Sequence, residues 1–227
     1  MNGGIRKRGR KMKIEILRNI PFSELEQKLR DVPLMKKAED GSEIKVYKDA
    51  DISLKRFYSE QVNPTSFYLL KQNLEFQKDF SQYMLDKFNI DILNLDCGFE
   101  IINEDGDIWG LLPPIVEITP RKVKYVAKPG EIIYNHEVEI QIPIINDGIH
   151  RIALAREQGA KFTSLFISGA IKDYPFYAHP NSWDQVKVVD KLPATKEEKK
   201  LYSREDCYAL YRNFDTLGCG KPRGTSK

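Results

Sequence analysis

The sequence predicts an α+β fold in which helices flank a mixed β-sheet and a helical region precedes it. Residues 138–144 alternate between apolar and polar side chains, which is the period of a strand with one buried face. After a break at residues 146–148 the apolar spacing becomes helical and runs to Gly159. A second helical stripe, typical of a helix that packs over a sheet, lies earlier in the chain. Its members are Phe67, Leu70, Leu74, Phe80, Met84 and Phe88.

The first half of the chain contains two helix start signals. Residues 23–26 have the form of a capping box and predict a helix that ends near Arg30. Asn63-Pro64, an N-cap followed by proline at the first helical position, predicts a helical segment that reaches Asn89 as one long kinked helix or as two helices. Short strands are expected at 12–20 and 44–47, and another short element is expected at 53–58.

Strands dominate the prediction for the second half. Residues 103–107 are interpreted as an acidic hairpin turn, because they lack the spacing and the terminal Glu of a calcium-binding EF-hand loop. The strand–helix–strand order of residues 138–168 predicts a βαβ-like unit in the mixed sheet. A capping box at residues 195–198 begins the last helical region, which ends near Phe214. Other strands are expected at 115–118, 122–127, 132–134, 162–168 and 186–189, with a turn at 128–130.

Composition places the chain among ordinary globular proteins. Of its 227 residues, 41% are hydrophobic and 30% are charged. Its apolar runs are too short for a membrane span, and its first residues lack the apolar core of a signal peptide. The cysteines and histidines have no metal-ligand spacing, so we expect no structural zinc site. A cytoplasmic protein with no membrane partner is therefore expected.

The positive net charge of the chain comes from its first residues. Residues 1–13 carry six basic residues and no acidic residue, and the remainder carries 30 basic and 33 acidic residues. A basic tail of this kind can bind nucleic acid or membrane lipids. The alternative is a solvated end that binds nothing. Nucleic acid is therefore a candidate partner of the tail only, because the rest of the chain is slightly acidic.

The strand-to-helix junction at residues 146–151 has the composition of an anion-binding site. Asp147 is placed to be the N-cap of the helix, and Gly148 lets the backbone approach a ligand closely. The first helical turn presents backbone N–H groups, the positive end of the helix dipole, and the side chains of His150 and Arg151. The alternative is an ordinary helix start with a solvated first turn.

Residues 138–159 resemble the signature segment of the ParB/sulfiredoxin superfamily, whose members carry a Gly-x-His-Arg or Gly-Glu-Arg-Arg motif at this turn. The motif Asp147-Gly148-Ile149-His150-Arg151 is closest to the Asp-Gly-x-His-Arg form of the ADP-dependent free serine kinases. The segment Leu112-Pro113-Pro114-Ile115 and the strand at 162–168 are arranged as in that fold. The resemblance implies a mixed sheet of ParB/sulfiredoxin type.

The resemblance covers about residues 109–190 and divides the chain into four parts. These are a basic flexible tail at 1–13, a mostly helical N-terminal region at 14–108, a ParB/sulfiredoxin-like domain at 109–190, and C-terminal helices with a flexible tail at 191–227.

The branches of the superfamily imply different activities. Partition proteins bind CTP and DNA, sulfiredoxins use ATP with a catalytic Cys, and the serine kinase transfers a phosphoryl group from ADP. Ile149 stands where a sulfiredoxin has its Cys, and the Gly-Glu-Arg-Arg motif of partition proteins is absent. Neither activity is therefore expected. In every branch the helix N-terminus holds nucleotide phosphates, which implies that Gly148, Ile149, His150 and Arg151 bind ADP, ATP or CTP, with Mg²⁺ as a further cofactor.

Phosphoryl transfer also needs a group that orients or deprotonates the acceptor. Glu117 is the candidate, Asp147 is the alternative or a metal ligand, and His150 can shuttle a proton. Because Glu117 lies between Val116 and Ile118, its side chain points away from theirs, and it can equally be a solvent-facing carboxylate. An aromatic, turn-rich segment is predicted to form the wall of a substrate pocket, with plain packing as the alternative. Its candidate residues are Tyr177, His179, Asn181 and Trp183.

Two functional hypotheses follow. The first is a nucleotide-binding protein that acts as a kinase-like phosphotransferase on a small-molecule or protein acceptor. The second is a non-catalytic DNA-binding or adaptor protein of ParB-like fold. The basic tail favours the second hypothesis, and the acidic remainder of the chain argues against it.

Overall fold

The computed structural model describes residues 13–124 and 137–218 and confirms the predicted α+β class. The strands are β1 (Ile14–Ile20), β2 (Pro33–Lys37), β3 (Glu43–Lys45), β4 (Asp51–Phe57), β5 (Tyr68–Leu70), β6 (Gly98–Asn103), β7 (Ile108–Leu111), β8 (Ile115–Lys124), β9 (Glu137–Asp147), β10 (Phe162–Ser168) and β11 (Lys187–Val189). The helices are α1 (Phe22–Arg30), α2 (Lys71–Phe88), α3 (Ile149–Glu157) and the single turn α4 (Lys196–Lys199).

A mixed four-stranded sheet with the order β4-β10-β8-β9 forms the centre of the molecule. Strand β10 pairs in parallel with β8 and antiparallel with β4, and β9 pairs antiparallel with β8. The predicted βαβ-like unit is wrong, because β8 lies between β9 and β10 and those two strands run in opposite directions. The parallel connection instead runs from β8 through β9 and α3 to β10.

The two middle strands of this sheet are buried on both faces where they pair, at residues 115–117 of β8 and 165–167 of β10. Ile115 of β8 belongs to the apolar cluster that includes Leu25 and Leu29 of α1. Its neighbour Val116 belongs to the opposite cluster, which includes Ile152 of α3 and Phe162 of β10. A strand covered on both sides reads as a continuous apolar run, and residues 115–118 have that form apart from Glu117.

A second sheet, with the order β1-β6-β7, packs against α2. Phe80 and Met84 of α2 are buried with Ile101 of β6 and Leu111 of β7, so this part of the predicted stripe is core, whereas Phe67 and Leu70 lie before α2. Helix α2 is one continuous helix that ends at Asn89 in the left-handed conformation (φ 56°). The acidic hairpin turn at 103–107 is confirmed, since it connects β6 to β7.

The prediction of a helical N-terminal region is wrong. Residues 14–108 contain β1 to β6 in addition to α1 and α2, and β4 belongs to the central sheet. The helix start at Asn63 is also wrong, because α2 begins at Lys71. Asn63 instead bonds to the edge of β9: its N–H donates to the carbonyl of Pro143 (2.9 Å), and the N–H of Ile145 donates to the carbonyl of Asn63 (2.9 Å). Helix α1 is present, but its N-cap is Pro21 rather than the predicted Ser23.

The predicted C-terminal helical region is reduced to short turns. The capping box of Thr195 and Glu198 is confirmed, and it begins the single turn α4. Short 3₁₀ turns follow at Cys207–Leu210 and Asp215–Leu217. This segment packs back onto the central sheet, because Leu210 is buried in the same cluster as Ile144 of β9.

Three further predictions concern strands. Strand β11 is confirmed and pairs in parallel with β5. Residues 115–118 and 122–124 belong to one continuous strand, β8. The turn at 128–130 and the strand at 132–134 lie outside the described residues. No helix in the described part of the chain has the length and apolarity of a membrane span.

Candidate functional site

The predicted strand–turn–helix is present, with a different cap. Strand β9 ends at Asp147, Gly148 is the N-cap residue, and α3 begins at Ile149. Asp147 is therefore not the N-cap, and no side chain among the described residues makes the capping hydrogen bond. Instead, the N–H groups of Arg151 and Ile152 both donate to the carbonyl of Gly148 (3.0 and 3.1 Å). A helix end without a side-chain cap keeps its N–H groups available to an anion.

Gly148 is required at this turn for two reasons. Its φ of +84° lies in the left-handed region, which side chains strain. A Cβ added at Gly148 would also lie 2.8 Å from Cβ of Pro114, closer than real Cβ atoms come. The predicted role of Gly148 was close approach to a ligand. The close approach seen here is to Pro114, in the loop before β8.

His150 lies in the first turn of α3 with its ring largely buried. Its Nε2 atom is buried and has no hydrogen-bond partner in the part of the chain that is described. Burial lowers the pKa of His150 below its usual value, and the charge of Asp147 opposes this shift. The ring is therefore neutral near neutral pH. An unpaired buried nitrogen is costly unless a water or ligand binds it.

Ile149 and Arg151 flank His150 on the first turn of α3. The Arg151 guanidinium donates to the carbonyl of Leu112 and is half-buried, so it is held at the turn and does not extend into solvent. Ile149 packs against the same two apolar clusters as Trp183 does. Its side chain is therefore part of the core beneath the turn, and only its backbone N–H can face an anion.

Glu117 is deeply buried, so the alternative of a solvent-facing carboxylate is wrong. It is 1% exposed, on the face of β8 that α1 and the C-terminal segment cover. The Arg212 guanidinium donates to both carboxylate oxygens, through Nη2 to Oε1 (2.6 Å) and through Nε to Oε2 (3.2 Å). The Tyr47 hydroxyl donates to Oε2 (2.6 Å), as does the Asn146 amide (2.9 Å).

The buried polar network of Tyr47, Glu117, Asn146 and Arg212 is internally satisfied. The remaining guanidinium N–H groups of Arg212 donate to the carbonyls of Tyr174, Pro175 and Leu210. Burial, together with the negative charge of Glu117, raises the pKa of Tyr47 well above its usual value, so the hydroxyl stays protonated and donates. The network joins Tyr47, Asn146 and Arg212 to Glu117 of β8, and these residues are far apart in sequence.

Asn146 connects this network to the turn. It is the extra residue of a β-bulge, because Ile115 pairs with Asp147 while Val116 pairs with Ile145. Its side-chain amide donates to both the Tyr47 hydroxyl (2.9 Å) and Glu117. Sequence reasoning noted Asn146 only as part of a break and did not find Tyr47 or Arg212. Their sequence neighbourhoods give no signal, since Tyr47 and Arg212 contact Glu117 across 70 and 95 residues.

Comparison with known proteins identifies the family. Residues 24–188 match the family model described as the ParB CE domain, which covers more than half of the chain. The chain belongs to the ParB CE domain family. No curated protein and no solved structure matches the chain. The match includes β4, α2 and the turn of α3, whereas Arg212 lies beyond its last residue.

Two predicted pocket residues of this ParB CE domain protein, Tyr177 and His179, lie near the C-terminal segment. Tyr177 is buried and stacks on Tyr211, with ring centroids 4.0 Å apart, in the cluster that includes Ile144. The backbone N–H of His179 donates to the carbonyl of Leu201 (2.7 Å). Burial, with a smaller effect of the Arg121 charge, lowers the pKa of His179.

The other two predicted pocket residues, Asn181 and Trp183, hold the loop that follows β4. The backbone N–H of Asn181 donates to the carbonyl of Pro64 (2.7 Å). The indole N–H of Trp183 donates to the carbonyls of Ser59 (2.8 Å) and Val62 (3.1 Å). Of the four predicted pocket residues, Trp183 packs on the clusters that Ile149 of α3 shares, and Tyr177 packs in the cluster of Ile144.

Proposed function

We propose that this ParB CE domain protein binds a nucleotide through phosphate groups held at the N-terminus of α3. The observation that carries the proposal is the buried, unpartnered Nε2 of His150 beside a helix end that no described side chain caps. A phosphate oxygen supplies what both features need, an acceptor for N–H groups and a negative charge at the positive end of the helix dipole. The resemblance of the motif to nucleotide-binding relatives supports the same ligand.

In this proposal the backbone N–H groups of Ile149 and His150 and the side chain of Arg151 hold the phosphates. Arg151 is positioned for this role by its bond to the Leu112 carbonyl. Gly148 supplies the backbone geometry of the turn. A phosphate beside His150 would raise the pKa of the ring, because a nearby negative charge favours the protonated form.

The reaction that we propose is phosphoryl transfer. The oxygen of an acceptor hydroxyl forms a bond to the terminal phosphorus of ADP, the bond between that phosphorus and AMP breaks, and the hydroxyl proton passes to Asp147. Asp147 is preferred to Glu117 because Arg212, Tyr47 and Asn146 already occupy the oxygens of Glu117. The turn fits Mg²⁺ in one respect, a carboxylate at Asp147 beside the phosphate site, and the ion would neutralise phosphate charge there.

The experiment is a calorimetric titration of the full chain with ADP, ATP and CTP, with and without Mg²⁺. We expect one nucleotide to bind and Arg151→Ala to weaken its binding at least tenfold, on the order of the loss of a hydrogen bond to a charged group. The matched control is Arg156→Ala, in the last turn of the same helix. Wild-type protein that binds none of the three nucleotides would disprove the proposal.

Phosphoryl transfer is tested separately. Free serine is the first acceptor to try, because the motif resembles that of the free serine kinases. We expect AMP to form from ADP only when an acceptor is present, and Asp147→Asn to abolish its formation while nucleotide binding is retained. Binding without transfer to any acceptor would leave a nucleotide-binding protein that is not a kinase.

A second candidate function rests on the basic tail. We propose as the alternative a non-catalytic DNA-binding or adaptor protein that uses residues 1–13, whose six basic residues contrast with the acidic remainder. Affinity for duplex DNA should then fall steeply with salt and be lost on removal of residues 1–13. Equal affinity with and without the tail would exclude it from DNA binding.

A further inference from the structure

The buried polar network joins the C-terminal segment, residues 200–218, to the turn that begins α3. We infer that this segment positions the turn through Arg212, Glu117 and Asn146, and that its docking sets the affinity of the turn for phosphate. The part of the inference that concerns affinity rests on the proposed function. The ParB CE domain match ends at residue 188, so the segment lies beyond the matched residues.

The bulge at Asn146 ties the turn to the buried polar network. A bulge residue is left out of the regular ladder, so its conformation depends on its other contacts. Here those contacts are two side-chain bonds of 2.9 Å, to the Tyr47 hydroxyl and to Oε2 of Glu117. Asn146 lies two residues before Gly148, whose backbone carbonyl accepts the first bonds of α3. The direction of the turn is therefore tied to these two acceptors.

Glu117 depends on Arg212 for the positive charge that compensates its buried carboxylate. Both side chains are 1% exposed, and a carboxylate buried without a cation is strongly unfavourable. The Arg212 guanidinium is itself held by the carbonyls of Tyr174, Pro175 and Leu210. When the C-terminal segment leaves, Glu117 loses its cation and must take water or a proton. Loss of Arg212 would therefore change the surroundings of Glu117 Oε2, the carboxylate oxygen to which the Asn146 amide donates.

Docking of the C-terminal segment and phosphate binding at the turn must affect each other equally. If docking of the segment raises the affinity of the turn for phosphate, phosphate must stabilise the docked segment by the same factor. The segment contains two short 3₁₀ turns, and it is held both by buried side chains such as Leu210 and by backbone bonds such as that from the Asn213 N–H to the Pro33 carbonyl (2.9 Å). A solely structural anchor would show no such response to ligand.

The ligand-free test uses Tyr47→Phe, which removes one hydroxyl from the network and keeps the ring. We expect native-state amide exchange of Arg151 and Ile152, which donate to Gly148, to become about tenfold faster relative to α2 amides. The matched control is Tyr83→Phe, since the Tyr83 hydroxyl also accepts from Ile14 and Lys87 but lies in the second sheet. Equal exchange at the turn in both variants would overturn the positioning role.

The ligand test uses ADP with Mg²⁺ on the full chain. We expect Tyr47→Phe to weaken ADP binding about fivefold or more and Tyr83→Phe to leave it unchanged. ADP should also slow proteolytic cleavage within residues 200–218 of the wild type, and it should not do so in Arg151→Ala. Unchanged affinity in Tyr47→Phe would overturn the coupling while leaving the proposed function intact. If the wild type does not bind ADP, the proposed function fails, and the exchange experiment still decides the positioning role.

Discussion

The buried polar network around Glu117 and the turn at Gly148 lie side by side at the junction of β9 and α3, yet their polar atoms are satisfied to different degrees. In the network, a carboxylate, a guanidinium, a hydroxyl and an amide bond to one another and to backbone carbonyls. At the turn, a buried histidine nitrogen has no partner within the described residues, and no described side chain caps the helix. Closed networks hold a fold together, whereas open polar atoms at a helix end suit a ligand.

The largest expected effect concerns the closed side of this comparison. Arg212→Ala leaves Glu117 buried without its cation, and we expect it to lower the free energy of unfolding by about 3–5 kcal/mol. Arg204→Ala, which breaks an exposed ion pair with Asp206, should cost less than about 1 kcal/mol. Urea denaturation of both variants provides the measurement. Similar losses in the two would show that the network is not an anchor.

The next effect concerns the backbone of the turn. Gly148→Ala adds a Cβ that would collide with Pro114, and it puts a residue with a side chain at φ +84°. We therefore expect the free energy of unfolding to fall by about 2–4 kcal/mol. Gly159 provides the control: its φ is +61° and a Cβ there meets nothing within 4 Å, so Gly159→Ala should cost only about 1 kcal/mol. The difference between their unfolding free energies isolates the contact with Pro114. Equal losses would remove that contact from the explanation.

A smaller effect concerns the turn, where His150 should make the stability of the protein depend on pH. Burial lowers the pKa of His150 below 6.5, so the unfolded state binds more protons as the pH falls through this value. Stability should therefore be lower at about pH 5.5 than at about pH 7.5, and His150→Gln should reduce the difference. His179 shifts in the same direction, so His179→Gln is measured in parallel.

Added phosphate should shift the pKa of His150 in the opposite direction, upward. A bound anion raises the pKa of the ring, so phosphate should stabilise the wild type more at the lower pH and should not do so in His150→Gln. A pH dependence that His150→Gln does not change would exclude this residue as its source.

The smallest effect tests whether an unpaired polar atom alone marks a site. The Ser164 hydroxyl is also buried, and it has no hydrogen-bond partner among the residues described, but it lies inside the cluster between the central sheet and α3. We expect Ser164→Ala to change the unfolding free energy by less than about 1 kcal/mol and to leave the response to phosphate unchanged. If Ser164→Ala changed the response to phosphate as His150→Gln does, the unpaired Nε2 of His150 would not mark a specific phosphate site.

Much of the local structure could be predicted from the sequence. The alternation at 138–144, the helical spacing up to Gly159 and the capping box at Thr195 all correspond to elements that are present, but Val138 and Ile140 are 43% and 38% exposed, so the buried face predicted for them is wrong. These signals are local, since they arise from side chains within one or two turns of one another. The start signal at Asn63-Pro64 failed because Asn63 pairs with β9, a contact that spans 80 residues.

The candidate site could be predicted only in part. The positions of Gly148, His150 and Arg151 at one turn follow from their sequence spacing, and the turn is where it was expected. The assignment of Asp147 as N-cap failed because β9 continues through it, and Gly148 takes the cap position. The environment of Glu117 was not predictable, because a polar residue within an apolar strand does not show whether the opposite face is covered.

The sequence by itself determined that a strand passes through a glycine turn into a helix, and it placed the chain near the superfamily whose ParB CE domain model it matches. Only the tertiary structure decided which polar groups of that junction have hydrogen-bond partners among the described residues and which do not. The reason is distance along the chain: Tyr47, Glu117 and Arg212 meet across 70 and 95 residues. Periodicity and capping rules describe neighbours in sequence, and such pairings become visible only when the chain is folded.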